Sequence, residues 1–240
     1  MIQRQFGKTL SAAALSAVCL LSGKAMAADV TIEVINLTRG SWFTPLLVAA
    51  HVDSTRLFTS GTAASTSLQA MAEGGSIDGL AADLTALNAS MQNNPASGLM
   101  SPGSRTSLTL NNDDAPDNTQ LPIVGMILPS NDGFLGLNGI TIPSEAGRYV
   151  FNVNAYDAGT EANDEILGSG MPGAAGFPAP PPVAAASGTG GTGVNASVEG
   201  YVHIHRNVLG DDDMAGGVSD IVNTVQRWLN PVARVIVTVN

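Results

Sequence analysis

The sequence predicts an all-β protein, an antiparallel β-sandwich with long loops and a few short helices. Three observations carry that expectation. Short apolar runs recur along the chain, most of them bounded by Gly, Pro, Asn or Asp. The first and last of these runs alternate apolar and polar residues, as a half-buried strand does. Helical spacing is confined to a few brief stretches, and many short strands with decorated loops point to two packed sheets.

Taken in order, residues 30–37 place Val30, Ile32 and Val34 on one face of a strand. Ser65 is placed to cap a short helix carrying Leu68, Met71 and Ala72 and stopping at Gly74. Leu80, Leu84 and Leu87, at i, i+4 and i+7, mark a second helix. Further strands are expected at Thr106 to Leu110, Ile123 to Leu128, Arg148 to Ala155 and Tyr201 to His205, with Val235, Val237 and Val239 on one face of the last. Between them, Ile221, Val225 and Trp228 allow one or two helical turns before Asn230-Pro231 ends them. Gly, Ala and Pro dominate residues 168–193, and a segment of that composition is expected to bury little apolar surface and to form a mobile loop.

The first residues carry an address. Arg4 and Lys8 precede an apolar stretch from Leu10 to Leu21, and Ala25-Met26-Ala27 has the small-x-small pattern cut by signal peptidase. Residues 1–27 are therefore read as a signal peptide and 28–240 as one domain, exported to the periplasm or secreted, with no segment long enough to insert in a membrane. Cys19, the one cysteine, falls inside the removed segment, and Val18 before it is unlike the small residue that precedes a lipidated cysteine. Disulfides and cysteine catalysis are thereby excluded from the mature chain. Removing Arg4, Lys8 and Lys24 leaves seven basic residues, all arginine, against 20 acidic ones, a net charge of −13. Such a field repels nucleic acid and anionic lipid.

Two acidic turns follow apolar runs: Ser130-Asn131-Asp132-Gly133-Phe134 and Tyr156-Asp157-Ala158-Gly159-Thr160-Glu161. If the two strands end at one edge of a sheet, Asp132, Asp157 and Glu161 cluster carboxylate oxygens of the kind Ca2+ prefers. Asp beside Gly also serves ordinary turns, because both tolerate the backbone angles required. Asp113, Asp114 and Asp117 form another acidic group, interrupted by Ala115-Pro116, and Asp211, Asp212 and Asp213 a third. Neither has the spacing of an EF-hand, and a solvated acidic loop is the simpler reading of each, with a second ion as the alternative.

His203 and His205 alternate along one expected strand, so both imidazoles face one side. With His51 or an acid as a third ligand they would make a zinc site able to activate water, the reading that would make this chain a hydrolase. No Gly-x-Ser-x-Gly elbow, His-Glu-x-x-His helix or phosphate-cradling loop occurs, and the mature chain lacks lysine. Trp42, Phe43 and Trp228 are read as core residues. With aromatics at only 5% of the chain, a carbohydrate-binding platform is the weakest alternative.

Asn36-Leu37-Thr38, Trp42-Phe43-Thr44-Pro45-Leu46, His51, Arg56-Leu57-Phe58, the Ser130-to-Leu137 turn, the Tyr156-to-Glu161 turn and Trp228-Leu229-Asn230-Pro231-Val232-Ala233-Arg234-Val235 together resemble the spondin amino-terminal domain. That module belongs to the matrix proteins F-spondin and mindin and also occurs alone in secreted bacterial proteins. The resemblance implies a C2-like antiparallel sandwich that binds Ca2+ through loop acids, here Asp132, Asp157 and Glu161. It implies adhesion or recognition of an extracellular or cell-envelope protein or glycan, and no catalysis. Glu161 departs from the Asp of the animal proteins, whose disulfide cysteines are also missing, and their partner-contact residues do not transfer.

Overall fold

The computed structural model describes residues 30–240 except Asp113. The segment expected to be a signal peptide, with Cys19, and Asp113 itself lie outside the described residues. Strands β1 (Val30–Asn36), β2 (Trp42–Phe43) and β3 (Leu47–Ala50) lead into helices α1 (Thr66–Gly74) and α2 (Asp78–Thr85). Five strands follow: β4 (Ser90–Asn93), β5 (Arg105–Leu110), β6 (Ile123–Leu128), β7 (Gly133–Leu137) and β8 (Gly147–Asp157). The chain then continues through β9 (Leu167–Gly168), β10 (Phe177–Pro178), α3 (Pro181–Ala184), β11 (His203–Ile204) and β12 (Ala233–Val239).

Strand order along the main sheet is β4-β3-β6-β7-β8-β12-β1-β5, with β2 on β6 and β11 on β8, and the neighbours along this path pair antiparallel. The all-β antiparallel class is as expected. In place of the two packed sheets expected, these strands form one ten-stranded sheet curled like a barrel until its end strands nearly meet. Near that seam Ser90 Oγ donates to Asn112 Oδ1 at 2.8 Å and Thr106 Oγ1 to Pro95 O at 3.1 Å. Strand alternation divides the apolar residues between two cores. Ile32, Val48, Ile123, Leu135, Val153 and Val235 point into the curl, where Phe43, Trp228 and Ile221 join them. Leu47, Val124, Met126 and Phe134 point outward, and α1 and α2 cover them with Leu68, Met71, Leu80 and Leu84.

Both expected helices form. Ser65 caps α1, its Oγ accepting from Leu68 N at 3.1 Å, and Gly75, at φ 72°, closes it one residue beyond the expected stop. The turn or two of helix expected at Ile221 to Trp228 shrinks to a single turn, in which Val222 O accepts from Gln226 N at 2.9 Å. Competing bonds explain this: Val222 N donates to the Gln226 side chain, and Ile221 O accepts from Asp211 N. Within the Gly/Ala/Pro-rich stretch, β10 and α3 bury Phe177 and Val183 completely, which corrects the expectation that it buries little apolar surface. The expected 201–205 strand is paired only at His203 and Ile204, and much of the expected 130–137 turn is strand β7.

Candidate metal centre

The site is built where β8 changes neighbours. Residues 147–153 of β8 pair with β12, whereas 154–157 pair with β7. At its last residue, Asp157 stands opposite Gly133 of β7 on one side and His203 of β11 on the other. Asp157 therefore meets both Asp132, one residue before β7, and the histidine strand. It shares its face with Val153 and Ala155 of the inner core, so it crowns the mouth of the curl. Phe134 and Tyr156 occupy the other face, their rings 5.7 Å apart, and hold β7 and β8 in that register.

All three acids are nearly inaccessible: Asp132 is 0%, Asp157 1% and Glu161 7% exposed. Asp132 Oδ2 accepts from the backbone N–H groups of Thr160 and Glu161 at 2.7 and 3.1 Å, tying one acidic turn to the other. Its Oδ1 is buried with no hydrogen-bond partner. Burial, with the Asp157 charge added, pushes the Asp132 carboxyl up to about 8 against the lowering effect of those N–H groups. Asp157 Oδ1 accepts from Gly159 N and Oδ2 from Asn163 Nδ2, both at 2.8 Å. Gly159 sits at φ 67°, and a Cβ there would lie 2.3 Å from Tyr201 O, so glycine is required for the turn to pass beneath the β11 approach. Glu161 Oε1 accepts from Asn131 Nδ2 at 2.7 Å and Gly176 N at 2.5 Å, and burial raises its pKa. The Asp132 carboxylate thus ties the two turns together beside Asp157, whereas Glu161 turns toward Asn131, and the three carboxylates do not gather into one ligand group.

The histidines join this site. His203 Nε2 lies 3.6 Å from Asp157 Oδ1 and His205 Nε2 3.8 Å from Asp157 Oδ2, so the imidazoles and the acidic turns form one cluster. Glu199 completes it, with Oε1 at 3.8 Å from His203 Nε2. Glu199 stands in a polar Gly/Ser-containing stretch with no motif around it, and only tertiary folding brings it to Asp157. His51, the other ligand considered for zinc, is fully buried with its Nδ1 2.6 Å from Val52 O, and the acids beside His203 are Asp157 and Glu199.

Asp211 and Glu165 serve the backbone. Asp211 Oδ2 accepts from Val218 and Ser219 N–H at 2.7 and 3.0 Å, and these bonds lower its pKa. Glu165, missed in the sequence, is 3% exposed and accepts from Gly210 N and Ser219 Oγ. Asp114, Asp117, Asp212 and Asp213 are exposed. Phe43 and Trp228 are core residues, 0% and 5% exposed, which leaves no sugar-stacking platform at those rings.

The chain is thus an all-β scaffold that presents buried acids on loops at the mouth of a curled sheet. Residues 36–166 match the family described as Spondin_N, and the chain belongs to this spondin amino-terminal domain family. The family is an extracellular-type module and not a family of enzymes. Asp132, Asp157 and Glu161 fall inside the matched residues, whereas Glu199, His203 and His205 lie beyond them. Among curated proteins none matches the chain. Among the described residues no helix is long and apolar enough to cross a membrane.

Proposed function

We propose that this chain is an exported, non-catalytic recognition or adhesion module whose loop rim is set by Ca2+ held through Asp132, Asp157 and Glu161. The observation that carries the reading is Asp132 Oδ1, a buried carboxylate oxygen without a partner beside a second buried carboxylate. A hard cation with oxygen ligands satisfies both at once. Bound there, the ion supplies positive charge and no chemistry on a substrate. The chain's own residues do the rest: Thr160 and Glu161 N–H groups hold Asp132, Asn163 and Gly159 hold Asp157, and Asn131 holds Glu161. The partner is an extracellular or cell-envelope protein or glycan, met by loops whose spacing the ion fixes.

Thermal unfolding in Ca2+ and in chelator tests the ion. Binding to the folded state alone stabilises by RT ln(1 + [L]/Kd), about 3 kcal/mol at a hundredfold excess over Kd, so Ca2+ should raise Tm clearly. Superimposable melting curves sink the calcium reading. A pull-down from the native cell envelope, with and without Ca2+, then tests recognition.

A further inference from the structure

We propose a second cation site, of transition-metal type, formed by Asp157, Glu199 and His203 with His205 behind it. The ligand atoms of the first three lie within 4.8 Å of one another. Their closest separations, 3.6 Å from His203 Nε2 to Asp157 and 3.8 Å to Glu199, are too long for hydrogen bonds. They are near the edge of a tetrahedron around zinc, about 3.3–3.6 Å for metal–ligand bonds of about 2.0–2.2 Å. Among the buried side-chain atoms lacking any hydrogen-bond partner, Glu199 Oε2, His203 Nε2 and His205 Nε2 belong to this one cluster.

The ring nitrogens assign the roles. His203 Nδ1 lies 2.9 Å from Ile204 O, and a carbonyl only accepts, so Nδ1 carries the proton and Nε2 presents a lone pair to the site. His205 Nδ1 accepts from Asn207 N–H at 3.0 Å, which leaves its proton on Nε2, facing Asp157 Oδ2. His203 is thus a ligand, and His205, 5% exposed and stacked edge-on to Trp228, is a positioning residue behind Asp157. One imidazole and two carboxylates select a zinc-like ion over Ca2+, whose ligands are all oxygen. The site opens on a cavity of about 410 Å3 also lined by Asn195, Ser197 and Arg206, which leaves room for water on the metal. It shares Asp157 with the calcium reading but does not depend on it.

The full chain, stripped with chelator and held in excess Ca2+, is titrated with Zn2+ by calorimetry and with Co2+ as a coloured surrogate. About one ion should bind per chain. His203→Ala and Glu199→Gln should each lose that binding and the cobalt absorption band, while keeping whatever Ca2+-dependent rise in Tm the wild type shows. His205→Phe should weaken zinc about 10–100-fold and shift the cobalt band, as loss of an outer partner does. Absence of zinc binding by the wild type, or undiminished binding by Glu199→Gln or His203→Ala, overturns the site. Zinc binding without any calcium response would retain this site and remove the calcium one.

Discussion

Asp132 carries the clearest consequence at the scale of single residues. Its carboxyl is raised to about 8 chiefly by burial, so in metal-free protein it binds a proton that the unfolded chain, with an ordinary Asp, has already released. Stability from this group is therefore present at low pH and falls as pH rises from about 4 through about 8. His205, lowered to about 4 chiefly by burial, acts in the opposite sense, because the unfolded chain takes up a proton below about 6.5 that the folded ring refuses. In chelator, Tm should fall from pH 6.5 to 8.5, and Asp132→Asn should flatten that limb. A wild-type limb already flat in chelator would mean that Asp132 is ionised without a cation. Asp157→Asn should remove most of the Ca2+ effect, whereas Asp114→Asn and Asp212→Asn, at exposed positions, should leave it unchanged in the same melting assay. Undiminished calcium binding by the Asp157 variant would place the ion elsewhere.

At the scale of elements, legibility followed how local each signal was. Helix α1 was readable because Ser65, Leu68, Met71 and Gly74 lie within one short window and the cap bond joins neighbours. Strand β7 was harder to read because Gly133-Phe134-Leu135-Gly136-Leu137 follows a turn sequence, and only pairing with β6 and β8 makes it a strand. The Ile221 helix failed because its backbone groups are claimed by Asp211 and Gln226, contacts that periodicity does not record. The acidic turns were legible from Asp and Gly at strand ends. Glu199 was not, since nothing near it in sequence distinguishes it. Packing between elements gives a direct test. Leu84 of α2 is fully buried under the outer face of the sheet, and Leu84→Ala should cost about 3 kcal/mol in denaturant unfolding. The metal responses should survive, because that core lies on the far side of the sheet from Asp157.

For the molecule as a whole, the curl depends on β12, which links β8 to β1 in the middle of the sheet with Val235 and Val237 fully buried. Val237→Asp would bury an unpaired charge between the two walls and should abolish the cooperative thermal transition, whereas Thr238→Asp, on the opposite face of β12, should leave it. A cooperative melt in the Val237 variant would show that the curl does not need this strand's packing.

The same strand sets where the chain's ends leave the body. Val30 pairs with Val239, and Val239 pairs in turn with Gly147, the first residue of β8, while Asp157 is the last. Ten residue steps of extended chain, about 33 Å, separate the two ends of that strand. Both ends of the described chain thus emerge side by side at one pole, with the acids and imidazoles at the other. A tether attached at either end, whether a neighbouring domain or an immobilised bead, would hold the molecule upright with its mouth of acids and imidazoles pointing away from the support.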